Sequence, residues 1–147
     1  NPTGAALDLT GYVLTYYNNG ATPGSDGVIK AFDLTGITLG AGETFTIVTD
    51  SFAGTGTYDE VQAYADSDSV VFFNGDDTIV LTKNGEVIDI VGVLGEDPWT
   101  LNGEVIAWTN KTYVRNAGIT SGSLVWDPTE WTEFDQDDFS NLGSHTA

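Results

Sequence analysis

The chain has 147 residues, with 22 acidic side chains set against Lys30, Lys83, Lys111 and Arg115 for a formal net charge of −18. It contains neither Cys nor Met, which removes disulfide, thiolate and Cys-based zinc chemistry, and no stretch approaches the ~18 apolar residues of a membrane span. A surface this acidic repels phosphate backbones, so neither nucleic-acid binding by this domain alone nor membrane insertion is expected.

The length predicts one domain over 1–147, enough to bury a core without a staple. Eighteen Gly and a wealth of Thr, Val, Ile and aromatic residues favour an all-β domain with many turns. The opening Asn1-Pro2-Thr3-Gly4 lacks the basic region and apolar run of a signal peptide; if the protein is exported, that segment has been removed or lies outside this sequence. Residues 12–17 read as a strand, 18–27 as an exposed hairpin end and 28–34 as a second strand. A further strand is predicted over 44–49, a short helix over 58–68, and a strand at 70–73 that pairs with the hairpin following it. That hairpin, NGDDTIVLTKNGEVIDIVG over 74–92, is the organising element, because Asn84-Gly85 supplies the positive φ of a type I′ turn. With that loop Lys83 faces Glu86, Leu81 faces Ile88 and Ile79 faces Ile90 on the predicted core face. Thr78, Val80, Thr82, Val87, Asp89 and Val91 are left on a mixed, partly exposed face. After 92 the chain is irregular, apart from a strand over 112–115 and the segment WDPTEWTEF at 126–134.

Four stretches together resemble the lamin-tail domain: NPTGAALDLTGYVL at 1–14, LGAGE at 39–43, the hairpin, and 111–116 with Trp131. The resemblance implies an immunoglobulin-like antiparallel β-sandwich. The ending, WTEFDQDDFSNLGSHT, is similar to the bacterial branch, in which such a module often sits in an extracellular nuclease. Family members usually begin with one or two strands before the segment matching Asn1-Pro2, so the sandwich is expected to lack its first strand or strands. Its open edge is expected beside 10–17 or the hairpin, where another domain of the parent protein or another chain would add a strand.

Catalysis is not expected. The single His145 lies in a tail where fraying is expected, which leaves no relay or metal triad built on imidazole. Calcium is the better chemical candidate, because it takes six to eight oxygens from Asp, Asn and loop carbonyls. Asp76 and Asp77, or Asp135, Asp137 and Asp138, are the expected ligands, ahead of Asp66 and Asp68; none of the three clusters matches an EF-hand loop. Trp99, Trp108, Trp126 and Trp131, with Tyr16 and Tyr17, invite a sugar-stacking reading, although core anchoring is the commoner fate of Trp in sandwiches. The leading expectation is a noncatalytic attachment or scaffold module of a larger secreted bacterial protein. The alternative is a calcium-dependent adhesive or carbohydrate-binding module.

Overall fold

The computed structural model describes residues 1–106 and 108–146. Its strands are β1 (Leu7–Asp8), β2 (Tyr12–Tyr17), β3 (Ile29–Asp33), β4 (Thr38–Leu39), β5 (Ile47–Thr49), β6 (Glu60–Gln62), β7 (Thr78–Lys83), β8 (Glu86–Val91), β9 (Thr100–Leu101), β10 (Glu104–Val105), β11 (Thr112–Arg115) and β12 (Trp131–Phe134). The fold is all-β and immunoglobulin-like. A four-stranded antiparallel sheet in the order β3-β2-β7-β8 forms its centre, flanked by the two-stranded pairs β1–β4 and β11–β12.

The central hairpin turns where the sequence demands it. Asn84 (φ 51°) and Gly85 (φ 83°) supply the left-handed pair, and Lys83 faces Glu86 as expected. Beyond Thr82↔Val87 the register departs from expectation: a bulge between Leu81 and Thr82 on one strand and around Ile88 on the other sets Leu81 against Asp89, Val80 against Ile90 and Ile79 against Val91. Without that extra residue, Asp89 would lie opposite Val80, which is only 2% exposed among the tryptophans. The bulge substitutes Ile90 for the carboxylate.

The expectation of one core face is also corrected, because both faces of this sheet are covered. Val80 and Ile90 pack with Trp99, Trp108 and Trp126 on one side. Leu81 and Ile88 pack toward Leu9, Tyr12 and Leu34 on the other. Alternation along β7 therefore feeds two apolar clusters, and Thr78 and Val80, assigned to a mixed face, are among its most buried residues. The first cluster joins residues of the hairpin to residues beyond 95. Gly92 lies so close to the Trp99 ring, at φ 97°, that any Cβ would strike it.

Residues 58–68 form no helix. Glu60–Gln62 runs parallel to β5, with Val61 exposed and Gln62 buried, a two-residue period that suits a strand. Segment 70–73 does not pair with the hairpin either. The Val70 N–H donates to the Gln62 side-chain oxygen (2.8 Å), and the free side of β7 is occupied by β2 over six residue pairs. The strand expected over 44–49 is confined to Ile47–Thr49. Of the two places expected for an open edge, 12–17 is interior as β2, whereas the hairpin has one interior strand, β7, and one edge strand, β8; the other edge of the sheet is β3.

Candidate functional site

The residues expected to bind calcium lie in two unlike settings. Asp77, 4% exposed, accepts from the Asn19 N–H (2.8 Å), the Asn74 N–H (3.2 Å) and the Asn18 side-chain amide (3.4 Å), tying the 18–19 loop to the mouth of the hairpin. Asp76 is beside it, and partial burial, then Asp77 and Asp97, push its carboxyl above the usual range. With its NH2 turned toward the two carboxylates, Asn74 donates to Asp77 Oδ2 (3.2 Å) and to Asp76 Oδ1. In the tail, Asp135 faces Lys111 (3.3 Å), Asp138 accepts from the Ser140 N–H (2.9 Å), and Asp137 sits at φ 60° in a turn. Among the described residues no group of three or more His, Asp or Glu side chains lies together as a metal-binding set.

The aromatic residues are largely structural. Trp99, Trp108 and Trp126 are 2%, 8% and 4% exposed and meet edge to face, with centroids 4.8–6.0 Å apart. Tyr113 stacks flat on Trp108 at 3.8 Å, and its hydroxyl donates to Glu133 (2.8 Å); burial and that carboxylate push the phenol far up. Tyr16 is buried at 4%. His145 is exposed and lines a broad depression of about 1020 Å³ together with Arg115, Trp131, Phe139 and Leu142.

The two sheet edges differ sharply, a difference that sequence reasoning missed. At β8 the edge is capped. The Asp89 carboxylate accepts two hydrogen bonds from Arg115 (2.6 and 3.0 Å), one from the Ser123 N–H (2.9 Å) and one from the Ile90 N–H (3.1 Å). Glu130 stands 3.6 Å from the same guanidinium, which lies over the Trp131 ring. Gly122 passes so close to the Ile88 carbonyl and Asp89 that no side chain would fit there. A signal for this cap did exist: Asp89 is the one charge inside an apolar strand, and Arg115 is the only Arg.

At β3 the edge is open. Hydrogen bonds from Leu34 N–H to Tyr12 O and from Asn18 N–H to Val28 O bracket the β2–β3 ladder. Their spacing turns the N–H and C=O groups of Lys30 and Phe32 inward and those of Ile29, Ala31 and Asp33 outward. No strand among the described residues pairs with that outward row. Ala31 and Asp33 are exposed.

The fold is that of an immunoglobulin-like, all-β sandwich module, with one capped and one open edge to its central sheet. The lamin tail domain family model matches residues 1–95, and the chain belongs to that family. No curated protein and no solved structure matches it.

Proposed function

We propose that this lamin-tail module is noncatalytic and attaches a larger secreted bacterial protein, with an extracellular nuclease as the leading candidate parent, to another domain or chain by strand addition. The observation that carries this reading is the asymmetry of the edges: β8 is closed by Asp89, Arg115 and Ser123, while β3 presents three residues whose outward backbone pairs with no strand among the described residues. The similarity of the ending at 131–146 to the bacterial branch supports the secreted setting. The test compares hydrogen exchange in the isolated chain and in the protein with its neighbouring sequence, alongside its natural secreted partners. Protection of the Ile29, Ala31 and Asp33 amides in the larger assembly is expected, and exchange as fast as in the isolated chain overturns attachment through this edge. Nuclease turnover that stays with purified 1–147 overturns the noncatalytic reading.

A calcium-dependent adhesive role is the second reading, supported by the adjoining carboxylates of Asp76 and Asp77 at the hairpin mouth, with Asp97 near enough to act on Asp76. Thermal melts with millimolar calcium and with chelator decide it. A raised midpoint that disappears in Asp76→Asn is expected under this reading, and an unmoved midpoint removes it.

A further inference from the structure

We propose that the β3 edge takes an extended, basic segment of a partner chain as a fifth strand of the central sheet. This rests on attachment by strand addition and names the chemistry of what is attached.

The first support is the absence of the usual guards. Edge strands are commonly protected by a bulge, a Pro or an inward-pointing charge. The β2–β3 register runs unbroken from Val13↔Asp33 to Tyr17↔Ile29, and β3 contains no Pro. Its one cation, Lys30, is drawn off the strand: the ammonium donates to the carbonyls of Tyr64 (2.5 Å) and Asp66 (3.0 Å) and sits 4.8 Å from the centre of the Tyr64 ring. Ala31, at the middle of the outward row, is small and exposed.

Charge supplies the second support. Asp33 is exposed on the strand itself, Asp26 in the loop before it, and Asp66 and Asp68 in the loop that holds Lys30. With Lys30 already engaged, an incoming strand meets carboxylates at both ends and no free cation on β3. A second copy of this chain would bring a further charge of −18 to the same place, whereas lysines on an incoming strand would be attracted.

The probe is a short blocked peptide alternating lysine with threonine and valine, titrated into the whole chain against its glutamate analogue. The lysine peptide is expected to bind, to slow exchange of the Ile29, Ala31 and Asp33 amides, and to weaken as salt is raised. Ala31→Pro removes an outward N–H and no bond to β2, so the sheet is retained while the lysine peptide weakens about tenfold or more. Should that variant fail to fold, the exchange pattern of the unmodified chain decides by itself. If both peptides bind equally and both are lost in Ala31→Pro, strand addition stands and the basic specificity is overturned. If the lysine peptide binds Ala31→Pro as well as the unmodified chain, protects other amides, or does not bind, the β3 site is overturned. Dimers that protect these three amides without peptide would make the occupant a second copy and overturn the proposal as well.

Discussion

Asp89 receives four hydrogen bonds from three directions, and each does something different. Arg115 brings β11 to β8, Ser123 brings the crossing segment, and the Ile90 N–H is an edge donor that would otherwise need water. Asp89→Ala leaves the Arg115 guanidinium, 16% exposed, without its main partner; a loss of about 2–4 kcal/mol in urea unfolding is expected, near the range for breaking a buried pair. Removal of Glu130, 3.6 Å away and more weakly placed, is expected to cost much less. Asp76 works in the opposite sense. Burial, then Asp77 and Asp97, raise its folded-state pKa above the ordinary 3.8, so its ionisation opposes folding. That penalty is complete at neutral pH and is relieved as pH falls through the raised folded pKa toward the unfolded value. Asp76→Asn is therefore expected to raise the urea midpoint at neutral pH in the absence of calcium. The gain should shrink as the pH falls through the raised folded pKa and vanish below the unfolded value, as parallel titrations of the two proteins would record.

Among the strands, β7 is the most deeply supported. It pairs on both sides, contributes Val80 to the tryptophan cluster and sends Leu81 to the opposite cluster. The two-residue ladders β1–β4 and β9–β10 have only two register pairs each. Local opening should follow this difference, since amides with few buried neighbours exchange through small fluctuations and central ones only through global unfolding. Native-state hydrogen exchange is expected to leave the Val80 and Thr82 amides, which face β2, among the slowest in the molecule, with those of β9 and β10 among the fastest. A uniform exchange rate over β7 and β10 would contradict the ordering. The bulge in β8 belongs to this scale too. It keeps a carboxylate out of an aromatic cluster and makes the same carboxylate available to close the edge.

Across the whole molecule, negative charge is hardly compensated. Lys111 pairs with Glu133 and Asp135, Arg115 with Asp89 and Glu130, Lys30 is held by two carbonyls, and Lys83 stands over the Tyr12 ring opposite Glu86. Each cation is engaged locally, so a net charge of −18 remains to repel itself in the folded state more than in the expanded one. Thermal midpoints at neutral pH are expected to climb between about 0.01 M and about 1 M sodium chloride, flattening as the screening length falls to about 3 Å. A midpoint that is flat or falling over that interval would show that the acidic residues lie too far apart to repel one another.

The amino-acid sequence by itself determined the all-β class, the hairpin at Asn84-Gly85, the strands at 12–17 and 112–115, and the membership of a family. These rest on local chemistry: a turn needs positive φ, a strand needs a two-residue period, and both are written in neighbouring residues. The placing of tryptophans in the core was also legible, because large amphipathic rings release most free energy when buried. What only the tertiary structure decided was which face each residue of β7 and β8 meets. A pattern that assumes one wet face fails when apolar layers cover both. The same holds for the edges. Asp89 and Arg115 are 26 positions apart, and the later chain closes β8 while no strand among the described residues covers β3. No local periodicity records which of two edges the later chain will cover, since that choice depends on long-range packing of the tryptophan cluster against the sheet.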